Sequence, residues 1–177
     1  MDLQQVKMDS ARDESGNFSI YGIIRTQDSL VSKEKVFEVL KEAIYRNYGS
    51  GDAVIEYENK EEGKIYGRAH TSSLTYMNTF VKMNGGQFAY EITLLTKQGK
   101  AKIILSDIIH KKGEMVQMKD GSHFEDEFPS TWGKMGKKQS AKEWIKMKEQ
   151  AYVQFKGIFF MLNDSLIKGT NKKINDF

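Results

Sequence analysis

The sequence predicts an α+β fold, a two-layer sandwich of an antiparallel sheet of about six strands with two helices covering one face. Three observations carry this. Trp144, Met147, Ala151, Phe155, Ile158, Leu162 and Leu166 recur at steps of three and four, the stripe of one long amphipathic helix. A shorter stripe of the same period follows Ser32. The stretch between them alternates apolar segments with short polar or glycine-bearing turns, as strands joined by hairpins do.

Each element has its own warrant. Residues 1–16 are polar and are expected to form a flexible N-terminus. Asn17–Arg25 reads as a strand in which Phe18, Ile20 and Ile24 alternate with Ser19, Tyr21 and Ile23, so both faces carry apolar residues. Ser32 is an N-cap for a helix whose stripe includes Val36, Leu40 and Ala43 and which ends near Asn47, before Gly49-Ser50-Gly51. Ala53–Tyr57 and Lys64–His70 form a hairpin across a polar turn ending at Gly63. Leu74–Met83 and Gln87–Thr96 flank Asn84-Gly85-Gly86, a pattern suited to a two-residue turn with positive φ. Another reversal at Lys97–Lys100 leads into Ala101–Ile109. Residues 111–139 lose periodicity and form an irregular loop expected to cover one edge or end of the sheet. Ser140 and Glu143 form a capping box at the start of a helix over 140–168, ended near Gly169 and followed by a tail, 170–177.

Composition narrows the function classes. With 177 residues, 39% hydrophobic, ten Phe, eight Tyr and two Trp, the chain has apolar area for one ordered domain, expected over 17–169. The lack of cysteine removes disulfides, thiolate metal sites and thiol nucleophiles. A net charge of +3 with only four arginines gives weak support to nucleic-acid contact. Met1–Glu14 holds no apolar run of the ~7–15 residues a secretory leader needs, so none is expected in this chain. The longest apolar run, Gly157–Leu162, falls well short of the ~20 residues that span a bilayer.

Particular stretches also look familiar. Val54-Ile55-Glu56-Tyr57, Glu61–Ala69, Tyr90–Leu94, Gly99–Ile103 and Asp107 together resemble an uncharacterised bacterial family, domain of unknown function 4468. The likeness covers about residues 17–110 and, more weakly, the final helix; residues 111–139 depart from the pattern. It implies a TBP-like two-layer sandwich, in which a curved antiparallel sheet cradles a long C-terminal helix. It also implies a small exported or envelope protein of a Gram-negative bacterium, with periplasmic or envelope-associated placement expected and a cytoplasmic one left open. The family has no established activity, so no site residue is carried over.

Candidate chemistry is sparse. His70 and His110 close strands and are expected to be solvated, and His123 precedes Phe124 and the acidic run Glu125-Asp126-Glu127 without the spacing of a known metal motif. Gly49-Ser50-Gly51 and Asn84-Gly85-Gly86 lack any phosphate-loop pattern, Ser72-Ser73 and Ser130-Thr131 lack a nucleophile elbow, and Glu61-Glu62 sits in a turn. Lys134, Lys137, Lys138, Lys142, Lys146 and Lys148 read as a solvated helix face rather than a phosphate site. No catalytic, cofactor-binding or metal-ligating residue is assigned, and no cofactor is expected.

The feature that stands out is a sheet with apolar residues on both sides. Phe88, Tyr90, Ile92 and Leu94 oppose Ala89 and Leu95, and Ile103 and Leu105 oppose Ile104 and Ile108. The second face is therefore covered by residues 111–139, paired with another copy, or used for binding, and a charge at Phe88 or Tyr90 would be tolerated if that set were the exposed one. The expected function is a non-enzymatic binding or interaction module of the envelope, contacting a protein or a small apolar ligand on the sheet face, as a monomer or weak homodimer. A nucleic-acid-binding domain using the open sheet is the alternative. A metal-assisted hydrolase built from His110, His123 and Glu125 is the third reading.

Overall fold

The computed structural model describes residues 7–14, 16–48, 53–78, 81–113, 120–127 and 137–171. The elements in chain order are β1 (Met8–Arg12), β2 (Phe18–Arg25), α1 (Lys33–Asn47), β3 (Ala53–Asn59), β4 (Lys64–His70), β5 (Leu74–Asn78), β6 (Val81–Lys97), β7 (Lys100–Lys111), β8 (Ser122–His123) and α2 (Lys137–Asn171). This is the expected α+β class: an open antiparallel sheet in the order β1-β2-β7-β6-β4-β3, with β5 on β6, β8 on β7, and two helices. The chain packs as two compact units, one of Met1–Ala69, Glu91–Ser106 and Lys156–Phe177, the other of His70–Tyr90 and Asp107–Phe155.

In the first unit, strict alternation decides the sheet's two faces. Ile20, Gly22 and Ile24 of β2, Ala101, Ile103 and Leu105 of β7, Ile92 and Leu94 of β6, and Ile65 of β4 are buried. Phe159 of α2 fits against Gly22, where a Cβ would come within 2.8 Å of its ring. Helix α1 starts as expected, Ser32 Oγ accepting the Lys35 N–H at 3.2 Å, and buries Val36, Phe37, Val39, Leu40, Ala43 and Ile44. Its Val39 meets α2 at Gly169. That contact explains why Gly169 does not end the helix, which runs on to Asn171; the glycine is there for close approach rather than for a cap. The residues 49–51 expected to stop α1 lie outside the described residues.

The N-terminal segment read as flexible supplies an edge strand, with Met8 opposite Gly22 and Arg12 opposite Phe18. Asp13 closes this hairpin, its carboxylate accepting from Asn17 N at 2.9 Å and Asn17 Nδ2 at 3.0 Å. An edge strand this exposed has no buried face to print a period on the sequence.

In the second unit, an aromatic core gathers on Phe88. His110 and Phe124 lie 5.2 Å from its ring and Trp144 5.4 Å, while Phe155 lies 5.4 Å from Tyr90 and 5.7 Å from Phe124. Phe88 and Tyr90 are therefore core residues, and neither lies on an exposed face. Phe124 packs in this core; residues 114–119 and 128–136 of the loop expected to cover the sheet lie outside the described residues. Asn84-Gly85-Gly86 makes no hairpin. It lies inside β6 at a register shift opposite β5, whose last pair is Asn78 with Val81. Gly86 adopts φ +91, and a Cβ there would collide with the backbone of Lys111 and Gly113. Two further boundaries move. Helix α2 begins at Lys137, so Ser140 is not its N-cap, and Glu143 is buried and ion-paired with Lys146 at 2.7 Å. Asp107, at φ +47, shifts the alternation of β7 by one residue and puts Ile108 and His110 in the buried set.

Candidate functional site

In the first unit, the described side chains on one face of the sheet stay exposed or half-buried. Alternation places on it the residues between the core positions: Tyr21 and Ile23 of β2, Lys102 and Ile104 of β7, Thr93 and Leu95 of β6, and Tyr66 and Arg68 of β4. Tyr57 joins them, directly opposite Tyr66. Ile23, 47% exposed, pairs with Lys102, and Tyr21 pairs with Ile104.

Polar groups hold this face in order. Lys102 Nζ lies 4.6 Å above the Tyr21 ring and Lys64 Nζ 5.8 Å from that of Tyr57, both within cation–π range. Tyr66 Oη donates to Glu91 Oε1 at 2.6 Å, and that bond to a carboxylate raises the phenol's pKa by favouring its neutral form. Arg68 stands 3.4 Å from both Glu56 and Glu91, whose charges, Glu56 foremost, raise the guanidinium's pKa further. The result is an apolar and tyrosine-bearing surface on which the Arg68 cation is already matched by two carboxylates.

The residues singled out for chemistry are not brought together. His110 is fully buried inside β7, not solvated at a strand end, with Nε2 2.8 Å from Gly85 O. Since that carbonyl only accepts, Nε2 carries the proton, and Nδ1 is left without a partner. Burial lowers the pKa of this imidazole. His123 is exposed and pairs in register with Ile109, while His110 pairs with Ser122. Among the described residues no three His, Asp or Glu side chains form a group that could hold a metal, so the His110, His123 and Glu125 constellation does not form. His70 Nδ1 lies 3.3 Å from Thr71 O.

Of the lysines read as a solvated helix face, three have described side chains, and Lys142 and Lys146 are exposed. Lys146 pairs with Glu143, whereas Lys148 donates to Asp126 O at 3.2 Å and lies over the Phe124 and Trp144 rings. Lys142 is exposed; Lys134 and the side chains of Lys137 and Lys138 lie outside what is described. Ser72 presents its N–H to Gln154, Glu61 and Glu62 are exposed in their turn, and residues 130–131 fall outside the described set. Sequence reasoning missed the Tyr66–Glu91–Arg68 cluster because it depends on pairing β4 beside β6. The apolar set of Tyr21 and Ile23 on the outer side of β2 was its one visible trace.

Residues 28–111 match the family model described as "Domain of unknown function (DUF4468) with TBP-like fold". The family resemblance of the strand and turn residues is thereby borne out over that range, which leaves β2 and α2 outside it. No curated protein matches the chain. Among solved structures, the chain is similar to a TBP-like protein from Parabacteroides distasonis, at 15% identity and TM-score 0.60 over 92% of this chain and 99% of that one. It is also similar to a DUF4468 family protein from Bacteroides ovatus, at 12% identity and TM-score 0.55 over 91% and 95%. At such identities the likeness is one of fold. The fold is TBP-like.

Proposed function

With residues 28–111 matching a domain of unknown function and the fold TBP-like, we propose that this chain is a non-enzymatic binding module. Its partner is a protein that seats on the outer sheet face of Tyr21, Ile23, Tyr57, Leu95 and Ile104. The observation that carries this reading is that large apolar side chains, Ile23, Tyr57 and Leu95 among them, stay exposed on the face opposite a well-packed core. Contiguous apolar surface rimmed by polar residues marks interaction sites, and tyrosine is enriched in them. The Tyr66–Glu91–Arg68 cluster gives that surface a fixed polar rim, which favours a defined partner over a loose one.

The non-enzymatic part is supported by how the imidazoles are used: His110 is committed to Gly85 O and sealed among rings. Nucleic acid on the same face is disfavoured, because a phosphate approaching Arg68 meets Glu56 and Glu91 first. Envelope or periplasmic placement is proposed on the family resemblance alone, and cell fractionation tests it.

The test is photo-crosslinking in the native cell, with a benzophenone side chain placed singly at Ile23, Leu95 and, as control, the exposed Tyr45 of α1. One discrete adduct from positions 23 and 95, absent from 45, is expected. Adducts equal at all three sites, or none from the sheet face, would overturn the reading.

A further inference from the structure

Helix α2 buries Trp144, Met147, Ala151, Phe155, Phe159, Leu162 and Leu166 almost completely. Yet four large apolar residues on the same helix stay in solvent: Ile145 at 52%, Val153 at 67%, Phe160 at 49%, and Tyr152. At 3.6 residues per turn these four, together with the exposed Glu149 and Lys156, fall within one arc of about 100°. Scattered exposed apolar residues are ordinary, but a stripe of four on one helix is a contact surface.

The order of residues in the stripe says what it contacts. Ile145 and Phe160 lie equally far from the midpoint between Tyr152 and Val153, and so do Glu149 and Lys156. That is the condition for a two-fold, antiparallel pairing of the helix with itself, in which residue i meets residue j of the other copy and j meets i. We propose that a second copy of this chain docks on α2, antiparallel, with the two-fold axis between Tyr152 and Val153.

In that pairing Ile145 packs on the partner's Phe160 at each end, and Tyr152 and Val153 pack at the axis. Glu149 faces the partner's Lys156 twice over. A parallel pairing would instead set Glu149 against Glu149 and Lys156 against Lys156, so the charges choose the antiparallel one. Sixteen helical residues span roughly 24 Å, and a contact of one helix per subunit belongs to the small interface class. The dimer is therefore weak and concentration-dependent. This surface is separate from the sheet face, and neither reading depends on the other.

Sedimentation velocity over a micromolar to millimolar concentration series tests it. The wild type is expected to rise toward twice the monomer mass, and Val153→Glu, which sets a carboxylate beside the axis, to stay monomeric. Glu149→Lys and Lys156→Glu should each weaken association about tenfold, and the two together should restore it. All three positions are exposed, and circular dichroism checks that each variant folds; if Val153→Glu does not, the charge-swap series decides. A wild type that stays monomeric, a dimer indifferent to these changes, or a double variant as weak as the singles overturns the proposal.

Discussion

Gln150 of α2 meets Thr75 of β5 as a neighbouring strand would. The Thr75 N–H donates to Gln150 Oε1 at 2.9 Å, and Gln150 Nε2 donates to Thr75 O at 3.0 Å. One turn on, Gln154 does the same for Ser72, with Ser72 N donating to Oε1 at 2.7 Å and Nε2 to Ser72 O at 3.5 Å. A carboxamide carries the donor and acceptor of a peptide unit, so two glutamines stand in for a strand beside β5. Gln150→Leu keeps the bulk and removes both bonds, and should cost about 1–3 kcal/mol in chemical denaturation. Amide exchange should quicken first at Thr75. A variant with wild-type stability and exchange would show that water serves this edge as well.

His110 makes stability depend on pH. Its folded-state pKa is lowered, first by burial, with the bond to Gly85 O and the charge of Asp120 acting the other way. Above the ordinary value of 6.5 both folded and unfolded imidazoles are neutral, and the site is indifferent to pH. As pH falls through that value the unfolded chain takes up a proton that the folded site resists, so stability falls with pH. The slope is at most about 1.4 kcal/mol per pH unit for one such group. Asp120, whose pKa is lowered chiefly by the Lys112 N–H, adds a separate loss only as pH falls through the ordinary 3.8 and below. Thermal melts from pH 8 to pH 5 should show a steeper decline for the wild type than for His110→Gln, which retains an N–H for Gly85 O. Equal slopes would mean that His110 is not the group responsible.

The fold was largely legible in the sequence where burial is periodic, and the site was not. Core positions such as Ile20, Ile24, Ile103, Trp144 and Phe155 are buried where the pattern put them, because each faces the apolar interior of its own unit. Asn84-Gly85-Gly86 misled because its residues suit either a primed turn or a bulge. What decides for the bulge is the nearby backbone of Lys111 and Gly113, far away in sequence. His110 was misplaced for the same kind of reason: its burial follows from Asp107 shifting the alternation and from two aromatic residues remote in the chain, Phe88 and Trp144. The Tyr66–Glu91 bond needs strand order, which no local pattern contains.

Gly169 and Val39 should be coupled. Helix propensity alone says that Gly169→Ala gains about 1 kcal/mol. A Cβ at Gly169 would lie 2.6 Å from Val39 Cγ1 and 2.9 Å from Cγ2, so α1 and α2 must part or Val39 must turn. Overpacking of this kind typically costs 1–3 kcal/mol, and the net effect should be destabilising. In a Val39→Ala background the same substitution should become neutral or stabilising, and a double-mutant cycle measures the difference. Additive effects would mean that the helix contact is slack.

Charge placed on the two sides of the sheet should separate core from contact surface. Phe88 is fully buried among His110, Phe124 and Trp144, and an aspartate there loses those ring contacts and takes a carboxylate out of water. Removing a buried phenylalanine alone costs about 3–5 kcal/mol, a large share of the ~5–15 kcal/mol that holds a domain together. Phe88→Asp should therefore fail to fold or melt far below the wild type. Ile23 faces solvent beside Lys102, and Ile23→Asp sets a carboxylate near that ammonium at little cost. Its melting temperature should stay within a few degrees of the wild type, while any partner seated on the sheet face is lost. A collapse of Ile23→Asp would mean that this face is covered in the folded chain, and would remove the surface on which the binding reading depends.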